Sequence, residues 1–440
     1  MATLDTITHG VKKKISFNSA QHKARNKDKP KESFKERNKR FLHEYFPFID
    51  GLGLKKYYLK SSIDIPFLLI VLTLLSIGLV MMFSASYVSA IYDTYSFEGG
   101  PQASFYIKKQ LMFALIGIAM MYFVSKFDTN FYKKFSTLIL IISLVLLVAV
   151  LIFPAKIEGK EEFKRWMAIG PISFQPSEVA KLGIIMFLAW SLEKKKAVVR
   201  TKWWSIIPYM ALIGVICILI YKENHLSATL LVFGITMIML FMGGFKIRIF
   251  VIGILSVAAL VGVVWLIHPE TIKNVFESYM KERIVAWLDK DYDPLGSRWQ
   301  TNQSLNAIGS GGLFGLGLGN SMQKHLYVSE AQNDFVFSIV CEELGFFRSS
   351  IIIALFGLLV WRGFVISMNA KDMFASLLTM GIVFQVGLQT ILNIAVVTDM
   401  IPNTGIGLPF FSYGGTSIVM LLAEMGMVLS VSRSAKLPKK

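Results

Sequence analysis

Three carboxylates lie close together in the stretch LDKDYDPLGSRWQ, at Asp289, Asp291 and Asp293. Acids in such a group can be solvated turn residues, cation ligands or a general base. The spacing resembles the start of a calcium loop. That loop requires glycine at its sixth position and glutamate at its twelfth, where this chain has Pro294 and Gln300. A solvated turn and a working carboxylate therefore remain as the two main interpretations.

A second charged group stands where an apolar segment begins, in RWMAIGPISFQPSEVAKLGIIMF (165–187). Pro176 suits the first turn of a helix, and the spacing of Glu178 and Lys181 places them on one helix face. Together with Arg165 upstream, Lys181 would form a binding site for an anionic headgroup. The alternative interpretation is a helix start with a local ion pair.

Three further stretches contain candidate site residues. His225, in KENHLSATLL, is more typical of a structural than of a catalytic histidine. We keep it as a candidate that contacts the substrate-binding residues and not the substrate itself. The glycine-rich stretch 307–335 has no GK[ST] and follows no strand, so we predict a flexible loop near the substrate rather than a nucleotide site. The Pro- and Gly-rich stretch 401–417 is typical of a cavity wall at membrane depth.

The composition is that of a membrane protein. Of 440 residues, 54% are hydrophobic and 17% are charged, and the net charge is +17. Residues 1–60 contain fifteen of the Lys and Arg residues against six Asp and Glu. This basic tail could bind nucleic acid, but its position before the first apolar segment favours a cytoplasmic segment that faces anionic lipid.

The first apolar segment begins near Ile65 without a cleavage pattern, so we expect it to remain as an anchor. Neither Cys217 nor Cys341 supports a disulfide or a cysteine metal site. A bilayer requires about 20 apolar residues per helix. Ten segments meet this requirement, at 65–90, 107–125, 133–153, 175–193, 203–221, 226–244, 248–267, 334–366, 372–394 and 414–432. The eighth is long enough to be kinked, or to begin as a half-helix, around CEELGFF.

Basic residues then give the orientation. They concentrate in the tail and in segments such as 194–202, whereas the loops at 91–106 and 395–413 contain neither Lys nor Arg. Both termini are therefore predicted to be cytoplasmic, and the long polar segment 268–333 to lie outside. Within it, residues 270–288 have helical periodicity and predict a helix along the membrane surface.

These features predict an all-α polytopic membrane protein with ten transmembrane helices and a large extracytoplasmic loop between helices 7 and 8. The predicted organisation is a basic N-terminal tail (1–60) without regular structure, a transmembrane domain (61–433) that contains the outer loop 268–333, and a short cytoplasmic tail (434–440).

Five stretches carry a resemblance to a known family. FSASY, RWMAIGPISFQPSEVAKL, DPLGSRWQTNQSLNAIGSGGLFGLGLGNSMQK, NDFVFSIVCEELGF and PNTGIGLPFFSYGGTS occur in family order between about residues 61 and 433. They resemble the SEDS family of bacterial shape, elongation, division and sporulation proteins. GLGNSMQKHLY is more similar to the division branch than to the elongation branch. The chain departs from the family pattern at His225, Ser329, Gln332 and Asp399.

The resemblance implies a peptidoglycan glycosyltransferase that polymerises lipid II at the outer face of the bacterial plasma membrane. It also implies a class B penicillin-binding protein and other membrane proteins of the division machinery as partners, with the septum as location. Asp293 stands at the family's essential carboxylate, and Arg165, Glu178 and Lys181 at its charged residues. The shared motifs add Gln300, Lys324 and Ser412 as candidate substrate-binding residues.

The chemistry of the implied reaction assigns roles to these residues. A sugar hydroxyl is a poor nucleophile, so Asp293 would act as general base in a single, inverting displacement. Lys181 and Arg165 would offset charge on the leaving diphosphate, and Glu178 would hold Lys181. A divalent cation such as Mg²⁺ or Mn²⁺ bridging the diphosphate is chemically reasonable, and no dedicated protein metal site is predicted.

Two other classes of protein remain as alternatives. A transporter or flippase of a lipid-linked cell-wall precursor would also have many spans, broken helices and intramembrane charges, but it predicts inverted repeats, and none is visible in the sequence. A scaffold that only recruits a synthase would not need Asp293. An elongation or sporulation member of the same family is a further alternative to the division role.

Overall fold

The structure is a computed structural model that describes residues 62–95, 100–155, 165–169, 172–253, 280–290, 293, 295–296 and 298–435. The predicted basic tail lies outside these residues. So do most of the seventh predicted span, the first part of the helix predicted at 270–288, and the last residues of the chain. The predicted domain boundaries at residues 60 and 433 therefore stay predictions.

The described residues include twelve α-helices with named bounds. They are α1 (Ile65–Asp93), α2 (Phe105–Val124), α3 (Thr129–Ile152), α4 (Pro176–Lys194), α5 (Lys196–Thr201), α6 (Ile207–Lys222), α7 (Leu226–Met242), α8 (Met280–Leu288), α9 (Trp299–Gly311), α10 (Val336–Met368), α11 (Met373–Val397) and α12 (Thr416–Ser434). A 3₁₀ turn, Trp203–Ile206, leads into α6. Residues 247–253 are also helical.

Seven helices within the described residues are long and apolar enough to cross a membrane. They are α1, α2, α3, α6 with its 3₁₀ turn, α10, α11 and α12. The fourth predicted span corresponds to α4, which carries charges at both ends, and the sixth to α7, a shorter apolar helix. The chain is thus an all-α, multi-pass membrane protein, while the count of ten spans stays a prediction.

Helix α4 occupies the centre of the fold. It begins with Pro176, has the acidic Glu178 in its first turn and the basic Lys194 in its last, an arrangement that favours a helix at both ends. It packs against α3, α7 and α11, and most of its side chains are buried. Its first turns therefore bring charged residues into the protein interior instead of exposing them to lipid.

The longest helix, α10, is kinked as predicted. Gly345 has φ 74° and ψ 179°, a backbone conformation that does not occur in a helix and that only glycine adopts readily. At this break the amides of Leu316 and Gly317 donate hydrogen bonds to the carbonyls of Glu342 and Glu343, at 3.0 Å each. The loop that follows α9 thus satisfies backbone groups that the kink frees.

A short β-hairpin precedes α4 in the otherwise mainly helical structure of the described residues. Strands β1 (Met167–Ile169) and β2 (Ile172–Phe174) pair antiparallel, with Met167 opposite Phe174. The sequence RWMAIGPISF contains alternating apolar residues around a Gly-Pro pair, which is a hairpin pattern. Each strand is only three residues long. The hairpin connects Arg165 to the start of α4 along the chain.

Candidate functional site

A large cavity lies at the start of α4. Its volume is about 850 Å³. The wall comprises the start of α2, the hairpin, the first turns of α4, the turn between α6 and α7, and the irregular segment before α12. Six of the residues proposed from the sequence line this one cavity: Arg165, Glu178, Lys181, His225, Gln300 and Ser412. These residues are spread over almost 250 positions of sequence, and the fold brings them together.

Glu178 and Lys181 form the predicted ion pair. The Nζ of Lys181 lies 2.8 Å from Oε1 of Glu178. Lys181 is only 2% exposed, whereas about 20% of the Glu178 side chain is exposed. A lysine so deep in the protein must be compensated by a counter-charge. Glu178 provides this charge and holds the ammonium group at the cavity wall.

His225 lies beside the same cations. Its Nδ1 is 2.9 Å from Nε2 of Gln175, the residue that precedes α4. Burial, together with the positive charges of Arg165 and Lys181, lowers the pKa of His225 to about 3. The ring is therefore neutral at physiological pH. In that state it adds hydrogen-bonding capacity to the cavity without adding to its positive charge.

Part of the cavity wall is irregular backbone that forms hydrogen bonds with polar side chains. The hydroxyl of Ser412 donates to the carbonyl of Asn333 (2.5 Å) and accepts from the amide of Leu408 (2.7 Å). Gln300 donates to the carbonyl of Ser329 and accepts from Nδ2 of Asn403. Both predicted residues line the cavity, and their described bonds stabilise its wall. The segment 401–417 is the cavity wall that its composition predicted.

The cavity combines charge with apolar surface. Its basic residues are Lys109, Arg165, Lys181 and Arg283, and its acidic residues are Glu178, Glu330 and Asp334. Apolar side chains from three membrane helices share the wall: Met112, Phe113, Leu231, Ile418 and Leu421. Such a surface suits a molecule with an anionic polar part and a hydrocarbon part.

Asp293 lies within the predicted outer loop, between α8 and α9, and is exposed. It has φ 40°, which is uncommon for a residue with a side chain. Its carboxylate lies directly over Gly296, where an added Cβ would come within 2.0 Å of Oδ2. Asp293 is not among the described residues that line the cavity. It precedes Gln300, which does line it, by seven positions.

Lys324, the remaining residue proposed to bind substrate, lies away from the cavity wall, at the kink of α10. It is 4% exposed, and its Nζ contacts Oε1 of Glu343 (3.0 Å), the hydroxyl of Ser84 and the carbonyl of Gly319. The glycine-rich loop that contains it packs against the kink of α10. Lys324 is not among the described residues that line the cavity, although Glu330, Asn333 and Asp334 at the end of the stretch 307–335 are. Glu343 holds the lysine at the kink.

Several cavity residues were not foreseen. Gln110, Gln385 and Gln389 belong to apolar helices, and Gln385 and Gln389 line the cavity while Gln110 bonds to its wall. The sequence analysis considered only ionisable residues within the predicted spans. A buried amide in an apolar span also needs a hydrogen-bonding partner, so these glutamines indicated a polar interior.

The described residues contain no group of three or more His, Cys, Asp or Glu side chains that could hold a metal ion. The acidic residues of the cavity wall, Glu178, Glu330 and Asp334, do not form such a group.

Comparison with known proteins gives consistent results. The model of a family described as cell cycle protein, FTSW_RODA_SPOVE, matches residues 65–437. Stage V sporulation protein E of Bacillus subtilis is 39% identical over 86% of this chain and 99% of its own length. A probable peptidoglycan glycosyltransferase FtsW of Trichlorobacter lovleyi is 36% identical over 87% of this chain and 97% of its own.

Solved structures agree on the fold. A chain from a peptidoglycan synthase complex, described as coordinating polymerization and crosslinking, aligns with a TM-score of 0.68 and 25% identity over 84% of this chain and 98% of its own. The rod shape determining protein RodA of Thermus thermophilus aligns with a TM-score of 0.60 and 24% identity over 86% and 98%. The chain therefore belongs to the SEDS family, which includes FtsW, RodA and stage V sporulation protein E, and it lies close to FtsW.

Proposed function

We propose that this protein is a peptidoglycan glycosyltransferase that polymerises lipid II at the outer face of the bacterial plasma membrane. One observation carries the proposal: a single cavity that combines two buried or half-buried cations with apolar helix surface. Lipid II has the matching parts, a diphosphate and a polyprenyl chain. The relatives named peptidoglycan glycosyltransferase FtsW support the same activity.

The reaction joins the 4-hydroxyl of an acceptor sugar to the anomeric carbon of a donor. The hydroxyl oxygen forms the new bond, the bond from the anomeric carbon to the diphosphate oxygen breaks, and polyprenyl diphosphate leaves. The proton of the hydroxyl passes to Asp293, which acts as general base. A single displacement inverts the configuration at the anomeric carbon from α to β.

The leaving diphosphate gains negative charge as the bond breaks. Lys181 and Arg165, on adjoining parts of the cavity wall, are proposed to stabilise this charge. Glu178 keeps Lys181 in place through the 2.8 Å contact. A divalent cation bound to the diphosphate would add to the same stabilisation.

The setting of the reaction follows from the charge distribution of the sequence and from the relatives. With both termini cytoplasmic, α8, Asp293 and α9 lie at the outer face. A class B penicillin-binding protein, which crosslinks glycan strands, is the proposed partner, and the peptidoglycan synthase complex among the similar structures supports such a pairing. Septal synthesis is the proposed role, with sporulation as the alternative that the Bacillus subtilis relative supports.

The test is polymerisation of purified lipid II by the full chain together with its transpeptidase partner. Asp293→Asn removes the base and should lower the polymerisation rate by about 10²- to 10⁴-fold. Asp289→Asn, in the same predicted outer loop, is the matched control and should retain the wild-type rate. Polymer from Asp293→Asn at the wild-type rate would exclude the mechanism. No polymer from the wild type would favour a transporter or a scaffold.

A further inference from the structure

Arg298 joins three segments at the predicted outer face. It is 3% exposed, although it carries a full charge. Its Nη1 donates to the carbonyl of Ala286 in α8 (2.5 Å), and its Nη2 donates to Oδ2 of Asp399 (2.7 Å), which follows α11. Its backbone amide donates to the carbonyl of Asp293 (3.3 Å). One residue thus contacts the outer helix, the end of a membrane helix and the proposed catalytic turn.

The same joint is reinforced by two neighbours in α8. The indole of Trp287 donates to the carbonyl of Asp399 (3.0 Å), and Nη1 of Arg283 donates to the carbonyl of Asn403 (2.9 Å). These residues surround a small cavity of about 230 Å³ that also includes Arg298 and Asp399. Arg283 and Asn403 line the large cavity as well. The joint therefore connects the turn at Asp293 to the wall of the proposed active site.

The turn itself depends on outside support. Asp293 has a left-handed backbone conformation (φ 40°), and so has Asp399 (φ 58°). Residues with side chains rarely adopt this conformation unless the surroundings fix it. The carbonyl of Asp293 accepts hydrogen bonds from Gly296 and Arg298. The position of Arg298 consequently determines where the Asp293 turn lies relative to α9.

We infer that the Arg298–Asp399 ion pair is a positioning device that holds the Asp293 turn, which lies between α8 and α9 in the chain, in place relative to α8 and the end of α11. This inference rests on the proposed function, because it assumes that Asp293 is the general base. Neither residue contacts the reacting atoms; both act through Asp293. Arg298 and Asp399 form an ion pair in which only 4% and 14% of the two side chains are exposed. Loss of either residue therefore leaves the charge of the other uncompensated. The turn then moves, and the geometry of proton transfer is lost before the binding of lipid is affected.

The experiment measures kcat and KM for lipid II polymerisation by the full chain with its transpeptidase partner, in parallel with the Tm. Asp399→Asn and Arg298→Met should each lower kcat by about 10- to 100-fold, as expected for a misplaced catalytic group, while KM stays close to the wild-type value. The double variant should lose no more than either single variant. Asp399→Glu keeps the charge and should recover most of kcat.

Other outcomes would overturn the inference. A wild-type kcat in Asp399→Asn would do so, as would losses that multiply in the double variant. A rise in KM with unchanged kcat would place the pair in substrate binding instead. If Asp399→Asn lowers kcat but Asp293→Asn does not, the proposed function fails, and the inference fails with it. If Asp293→Asn is inactive and Asp399→Asn is fully active, only the inference fails.

Discussion

Two lysine–glutamate pairs in this protein have similar geometry and different surroundings. Lys181 contacts Glu178 at 2.8 Å on the wall of the large cavity, and Lys324 contacts Glu343 at 3.0 Å beneath the glycine-rich loop. Both lysines are almost fully buried. Glu178 is partly exposed to the cavity, whereas Glu343 is completely buried and also accepts from Ser84 and from the amide of Ser321.

The difference is between an ion pair that borders the large cavity and an ion pair that is enclosed by protein groups. Lys324 has contacts on all the sides that its hydrogen-bond donors face, and Glu342 is bonded to the hydroxyl of Ser321 and the amide of Met322 nearby. Lys181 has Glu178 on one side and the cavity on the other. A buried cation that borders an open cavity can accept an anionic ligand, and one enclosed by protein groups cannot.

The largest expected effect concerns the enclosed pair. Lys324→Met leaves Glu343 charged and buried without its counter-charge, which should lower the free energy of unfolding by about 3–5 kcal/mol. Thermal unfolding in detergent measures this loss as a lower Tm. Lys181→Met is the control: its partner Glu178 reaches the cavity, so the Tm should fall much less. Equal losses for the two variants would remove the distinction.

The second effect concerns activity. Lys181→Met should reduce kcat for lipid II polymerisation by about 10²-fold, because a preorganised positive charge near the leaving diphosphate is lost. The protein should remain folded, so circular dichroism and the Tm provide the control. If Lys324→Met, corrected for its folded fraction, loses as much activity as Lys181→Met, Lys324 belongs to the site after all.

Glu178→Gln should have a smaller effect on activity, about tenfold. The amide keeps the shape of the side chain and can still accept a hydrogen bond from Lys181, but it no longer provides the negative charge that holds the ammonium group. The corresponding change in the enclosed pair, Glu343→Gln, should lower the Tm and leave kcat of the folded protein unchanged. The reverse assignment of these two effects would contradict the comparison.

Glu223 extends the comparison to a buried acid that lacks a lysine. Neither of its carboxylate oxygens has a hydrogen-bond partner among the described residues, and burial raises its pKa to about 8. The native state therefore keeps a proton that the unfolded state releases above the ordinary pKa near 4.5. The stability contributed by this group is complete below that value and is lost as the pH rises through about 8.

The smallest effect follows from this. Glu223→Gln should remove the loss of stability between about pH 5 and about pH 8. At pH 8 the variant should have the higher Tm, because the glutamine side chain carries no charge for burial to penalise. At pH 5 the two proteins should be similar. A constant difference across this range would show that Glu223 does not titrate within it.

Much of the fold follows from local signals in the sequence. Long apolar runs identified the membrane helices, and Pro176 and Gly345 marked a helix start and a kink. The hairpin at 167–174 was missed because three-residue strands give too short a pattern. The path of the glycine-rich loop was also missed: glycine permits flexibility, but here its small size allows close packing, since a Cβ at Gly315 would lie 2.2 Å from the carbonyl oxygen of Glu343.

The site was predictable where a charge stood in an apolar context. Arg165, Glu178 and Lys181 were found in this way, and all three line the cavity. Lys324 was proposed from the motifs shared with the family instead, and the sequence does not show which buried lysine borders a cavity. The pairing of Arg298 with Asp399 joins residues 101 positions apart, and no local pattern indicates it.

The most direct test is the binding of undecaprenyl diphosphate to the full chain in nanodiscs, measured as a Kd for three proteins: wild type, Lys181→Met and Lys324→Met. The cavity assignment predicts weaker binding by Lys181→Met and a wild-type Kd for the folded fraction of Lys324→Met. Wild-type affinity in Lys181→Met, or a loss in folded Lys324→Met alone, would contradict the assignment of the large cavity as the site that holds the leaving diphosphate.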